Sequence, residues 1–279
     1  MVIVVCTGGG WICSAVLGIF LRWRRAIMNS HQVKSLSKSA SIKHFSKGVL
    51  QMTMRRGFLN ATAFAFAMAN VEAMIVVYLR RLYYPGGFQF PLVIIDTPMV
   101  LLELIREAAT VVMLATFGMA AGRTKVGRFG YFMIGFGLWD IFYYVWLKII
   151  LNWPASLWTW DVLFLIPVPW IGPVLAPASV ACTLVGMGVV LLVLESRGPV
   201  LPAGKAVWSA QVAAAMIIIY SFTMDVWPRL DADGTLLSQW VPVTYPWWML
   251  ILGQLLAIST FAVWARKAYR TRLPDVSGI

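Results

Sequence analysis

The chain is 279 residues long, 60% hydrophobic and only 12% charged, against about 45–50% apolar and about 25% charged in a typical soluble domain. That composition excludes a disordered chain, a coiled coil and a disulfide-stapled secreted scaffold, and leaves an all-α, polytopic bundle of membrane helices. The net charge of +12 would suggest nucleic acid in a soluble protein, but here the basic residues fall in short stretches between apolar runs, where anionic lipid and orientation account for them and no nucleic-acid partner is needed.

About 20 apolar residues are needed to cross ~30 Å of hydrocarbon, because each helical residue rises ~1.5 Å. Seven segments meet that length: 1–20, 57–79, 98–121, 129–151, 173–194, 207–227 and 246–265. The first stands apart. It carries the run Gly8-Gly9-Gly10, poor for a helix unless packed, and reads as an N-terminal anchor or an overextended start. A start at Met52 or Met54 would leave six spans. Residues 21–56 form a basic connector with nine Lys or Arg and no acid, and its stretch 29–48, rich in Ser, Lys and His, reads as a solvated linker. Residues 57–265 are then the six-helix core, and 266–279 a basic tail. Within the core, 158–177 is irregular: Pro167, Pro169, Pro173 and Pro177 interrupt an apolar run that opens with Trp158 and Trp160. Proline removes a backbone donor and clashes with the preceding turn, so no straight helix passes through this spacing. A short re-entrant or interfacial piece is expected, or a surface loop held by tryptophans in the interfacial belt.

Sidedness follows from Lys and Arg. The connector, loops 122–128 and 195–206 and the tail hold 18 of the 23 basic residues, all on one face of a seven-span arrangement. The positive-inside rule places that face in the cytoplasm, the N-terminus outside and the C-terminus inside, in what is expected to be a bacterial inner (plasma) membrane.

Ionisable side chains within spans are costly and are functional candidates by default. Glu72, Glu103, Arg106, Glu107, Asp140, Lys148 and Asp225 fall there. At ~1.5 Å per residue, Glu103 lies ~8 Å, Glu72 ~10 Å, Glu107 ~14 Å and Asp140 ~16 Å below the outer surface. Glu103, Arg106, Glu107 and Thr110 share one helix face, as do Asp140, Tyr143, Tyr144, Leu147 and Lys148 on the next span. Glu72, Glu103, Arg106, Glu107, Asp140, Tyr143 and Tyr144 are therefore expected to form a buried polar cluster, with Lys148, Asp161 and Asp225 at its periphery. Five acids (Glu72, Glu103, Glu107, Asp140, Asp225) against Arg106 and Lys148 leave a formal −3. A low dielectric does not hold that, so protons or a metal or organic cation should be taken up, unless crevice water solvates the acids and the network only locks helix packing.

Several chemistries are absent from the sequence. Cys6, Cys13 and Cys182 form no CxxC pair and the histidines, His31 and His44, lie in the connector, so neither a zinc site nor a haem site is readable. There is no HExxH, no GxSxG, no Walker motif, no GxGD-like aspartate pair, and no mid-span lysine in the last helix for a retinal Schiff base. Three readings remain open. The first is proton- or cation-coupled transport. The second is an embedded enzyme acting on a lipid or other apolar substrate from the outer leaflet. The third is a non-catalytic subunit or assembly factor of a larger membrane complex.

Overall fold

The structure, a computed structural model, describes residues 40–230 and 235–271, with side chains from residue 55 onward. The N-terminal segment 1–20, the first half of the connector and the last residues of the tail, from 272, lie outside the described residues. By its internal contacts the chain divides into two units, residues 1–49 and residues 50–279. The cluster and the six expected core spans all belong to the second.

Helix α1 (Ala40–Tyr83) begins inside the stretch expected to be a linker. Its buried residues, Ala61, Ala65, Met68, Ala69, Glu72, Ala73, Val77 and Arg80, recur every three or four positions and make one inward stripe. The alanines let neighbouring helices approach closely. Phe64 stacks on Phe117 with centroids 4.3 Å apart, and Trp146 Nε1 donates to the Phe66 carbonyl at 3.1 Å. Helix α2 (Thr97–Ala121) starts where Asp96 caps it, accepting from the Met99 amide, with a proline in its first turn. Helix α3 (Lys125–Leu151) is capped by Thr124 and ends at Asn152 in the left-handed region at φ 52°.

The described chain is mostly helical, consistent with an all-α membrane bundle, but the proline-rich segment is neither a broken helix nor a simple loop. It folds as an antiparallel hairpin of β1 (Trp160–Phe164) and β2 (Trp170–Pro173), with Asp161 opposite Gly172 and Val162 opposite Ile171. Pro167 and Pro169 fall in the connection, where their missing amides cost no ladder bond, and Pro173 closes β2. The paired strands satisfy each other's backbone, which a re-entrant helix would have done internally. Gly172 is required by close approach: a Cβ there would lie 2.9 Å from the Phe222 ring.

Helix α4 (Leu175–Ser196) follows with Pro177 in its first turn, where a proline is tolerated. Helix α5 (Lys205–Thr223), a short 3-10 turn (Trp227–Arg229), the four-residue α6 (Thr235–Ser238) and α7 (Trp247–Arg270) complete the chain. Asp225 lies beyond the end of α5, not inside a span as expected. Helix α3 packs on α2 and α4, α5 on α7, and β2 on α4 and α5.

Five helices are long and apolar enough to cross a membrane: Arg55–Tyr83 of α1, α3, α4, α5 and α7. Helix α2 has the length but carries Glu103, Arg106 and Glu107, and is not among them. The outward faces are apolar: Val71, Met74 and Tyr78 on α1, Leu101, Leu102 and Ile105 on α2, and Ile251, Leu252 and Leu255 on α7 are all exposed. A soluble monomer does not present continuous apolar surface on this scale, whereas a bundle in hydrocarbon must.

Candidate functional site

Arg106, half-buried on α2, is the hub. Its Nη1 meets the Glu72 carboxylate from α1, its Nε donates to Glu103 Oε2 at 2.8 Å, and its Nη2 lies 3.9 Å from Glu107 Oε1. Helical spacing explains the set. Glu103 and Glu107 stand one turn apart on the buried stripe of α2, and Glu72 stands on the buried stripe of α1. Two of the three acids have a second tie. Thr110 Oγ1 donates to Glu72 Oε2 at 3.1 Å, and the Leu165 amide, in the hairpin connection, donates to Glu107 at 2.8 and 3.0 Å. Glu107 thus joins a helix to the hairpin.

A second pair completes the wall. Arg80, near the end of α1, donates to Asp161 Oδ1 at 2.9 Å, and both are buried. Tyr144 donates to Asp161 Oδ2 at 3.3 Å, and the Arg80 guanidinium lies 3.7 Å from the centre of the Trp153 ring and 4.5 Å from that of Phe88. Stacking on rings suits a planar guanidinium that is removed from water. Arg80 Nη1 is buried without a hydrogen-bond partner. Burial pushes the Asp161 carboxyl up to about 6, and Arg80 and the Tyr144 hydroxyl oppose that rise.

The four carboxyls, the two guanidiniums and Tyr144 line one cavity of 190 Å³ together with Asp140, Tyr143, Tyr83 and Tyr84. Among the described residues neither the Asp140 carboxyl nor the Tyr143 hydroxyl has a hydrogen-bond partner. One end of the cavity is roofed by the hairpin and by Phe88, Leu92 and Val93 of the α1–α2 loop. Towards the other end of α1, Ala65, Met68, Ala69, Leu114 and Trp139 close into an apolar cluster with Phe64 and Phe136 packed against it.

Of the expected residues, the structure brings Glu72, Glu103, Arg106, Glu107, Asp140, Tyr143 and Tyr144 to this cavity, with Asp161 as a wall member and not at the periphery. It does not bring Lys148, whose Nζ donates to the Asn152 and Pro154 carbonyls at 3.3 and 3.0 Å and so serves the end of α3. Nor does it bring Asp225, because α5 stops before reaching it. Sequence reasoning missed Arg80, which sits at the end of its span and reads as an interfacial residue. The signal was available: Glu72, Val76 and Arg80 recur at four-residue steps and line the cavity together. With Asp161 and Arg80 replacing Asp225 and Lys148, the balance is again five carboxyls against two cations, a formal −3.

No protein-family model, curated protein or solved structure matches the chain. Among the described residues no three of His, Cys, Asp and Glu are grouped as a metal ion would need. Three of the carboxyls instead converge on Arg106, and Asp161 pairs with Arg80. Such an arrangement can exchange protons or hold a diffuse positive charge.

Proposed function

We propose that this is a multi-pass membrane protein whose cavity takes up protons or an organic cation from the extracytoplasmic side, as the binding step of proton- or cation-coupled transport. The observation that carries this reading is the charge balance: Glu72, Glu103, Glu107, Asp140 and Asp161 share one cavity with Arg80 and Arg106. Three uncompensated negative charges are not stable in a low dielectric, so the site gains positive charge by protonation or binding. Helix α2 serves as a sixth span in this reading, since Glu103 and Glu107 face inward and lipid meets Leu101, Leu102 and Ile105. The basic ends of the helices, at Arg55, Lys125, Arg197 and Arg270, lie in the cytoplasm of a bacterial plasma membrane, and the hairpin lies outside. The apolar cluster around Leu114 and Trp139 then closes the cytoplasmic side, and uptake passes the hairpin and the α1–α2 loop that roof the other side.

Proton and cation flux into proteoliposomes tests the reading. Wild-type protein supports flux, and Glu107→Gln reduces it at least about tenfold while thermal unfolding is little changed; a tenfold loss corresponds to about 1.4 kcal/mol. Absence of wild-type flux, or loss of stability without loss of flux in Glu107→Gln and Arg106→Ala, would make the cluster a packing lock.

A further inference from the structure

A second cavity, of 270 Å³, adjoins the first, and Trp139, Asp140, Leu163 and Phe164 wall both. The rest of its lining comes from α2, α3, β2, α4 and α5 and is apolar, with Asp140 the single charged residue. It is nearly twice the ~150 Å³ that accommodates a benzene ring in a protein core. Val111, on its α2 edge, is also exposed. The shared wall carries the half-buried Asp140, whose carboxyl has no hydrogen-bond partner among the described residues, and Trp139, whose Nε1 is buried without one. A buried donor left unpaired, such as Trp139 Nε1, is costly, and in a native protein it points to something that pairs it.

We infer that the organic cation is the head of an amphiphile: an alkyl ammonium with an adjacent oxygen, its head between Asp140 and Trp139 and its chain in the apolar chamber. The inference rests on the cation reading above and narrows it. The ammonium answers Asp140 and the net negative charge beyond it. The oxygen accepts from Trp139 Nε1, which an ammonium alone cannot do because both are donors. A lone proton or a small inorganic ion would leave the apolar chamber unused. A phosphate or sulfate head would meet five carboxyls, and the two guanidiniums are already engaged by four of them.

The test uses the full chain in nanodiscs and radiolabelled 2-amino-1-alkanols of four to ten carbons. Matched alkanols and alkyl sulfates are the controls, and saturable binding is referred to the free aqueous probe. The amino alcohols should tighten by about fourfold per added methylene until the chamber is full and bind better than the alkanols, and alkyl sulfates should not bind. Val180→Phe should flatten the chain-length series, and Asp140→Asn should erase the preference for the amine. A chain-terminal diazirine analogue should crosslink to the α4 and α5 residues that line the chamber. This last readout needs no variant to fold. Binding of short ammonium ions with no chain-length gain, or crosslinks confined to outward-facing residues, overturns the amphiphile and leaves the cation reading standing. If no ammonium of any length binds, the amphiphile falls, and proteoliposome flux then decides whether the cavity handles protons alone or whether the cation reading falls with it.

Discussion

At the scale of single residues, the two guanidiniums do different work. Arg106 collects three carboxylates from two helices, whereas Arg80 has one carboxylate and two ring faces. Removing Arg80 strands Asp161 as a buried, unpaired charge, a change that typically costs about 3–5 kcal/mol. Arg80→Ala should therefore lower stability by that order in a chemical unfolding titration, with Arg80→Lys restoring only part, because an ammonium cannot stack flat on Trp153. An unchanged midpoint for Arg80→Ala would show that the pair is solvated. Asp161 itself holds its proton to about pH 6 in the folded chain and to about pH 4 when unfolded. The folded state thus binds more protons than the unfolded one in that window, and the contribution of Asp161 makes the fold less stable as pH rises from about 4 to about 6, with no further change above. Infrared spectroscopy should show a carboxylic-acid stretch that disappears with a midpoint near 6 and is missing from Asp161→Asn; a midpoint near 4 would contradict the burial argument. The α2 part of this site could be read beforehand, because Glu103, Arg106 and Glu107 lie within one helical turn and a helix fixes which face they share. The Arg80–Asp161 pair could not be read with equal force, since its partners are 81 positions apart and meet only once the hairpin has folded back.

At the scale of elements, the bundle is held by close contact and by polar ties between helices, because lipid offers no hydrophobic drive for association. Helices α3 and α4 cross with Gly137 against the Ala181 carbonyl, where a Cβ would sit 2.5 Å from the oxygen. Gly137→Ala should destabilise the fold by about 1–3 kcal/mol, the usual cost of overpacking. Gly186→Ala on α4, where the new methyl meets nothing within 4 Å, should be neutral or slightly stabilising through helix propensity. Equal unfolding midpoints for the two variants would contradict the crossing. Helices α4 and α7 are tied by Gln254, which accepts from Thr183 and donates to Ser179, both at 2.8 Å. These elements were legible in the sequence because span length and apolar content are local properties, and the starts of α2 and α4 fall within two residues of the expected ones. The hairpin was not. Prolines say where a helix cannot run, but pairing Trp160 with Pro173 is decided by the neighbours that cover the strands, and β1, half-buried at four of its five residues, shows no period-2 alternation.

At the scale of the whole molecule, the account depends on a cavity that is negative, roofed on one side by the hairpin and closed on the other by aromatic packing. The positions of the acids within the spans could give the negative charge but not the cavity, because a void is the space left between elements and no residue encodes it. The two chambers meeting at Trp139 and Asp140 belong to the same class of feature. Side-resolved thiol labelling addresses the central claim directly. A Tyr143→Cys substitution, in a background where Cys6, Cys13 and Cys182 are replaced by Ser, puts one reactive thiol on the cavity wall. Two impermeant methanethiosulfonates of similar size, one carrying trimethylammonium and the other sulfonate, are then added from the extracytoplasmic side. A cavity with excess carboxylate should react with the cationic reagent at least about tenfold faster, since even one net charge a few ångströms away is worth more than 1 kcal/mol in a partly buried site. Rates that are equal, or faster for the sulfonate, or labelling only from the cytoplasmic side, would contradict the account.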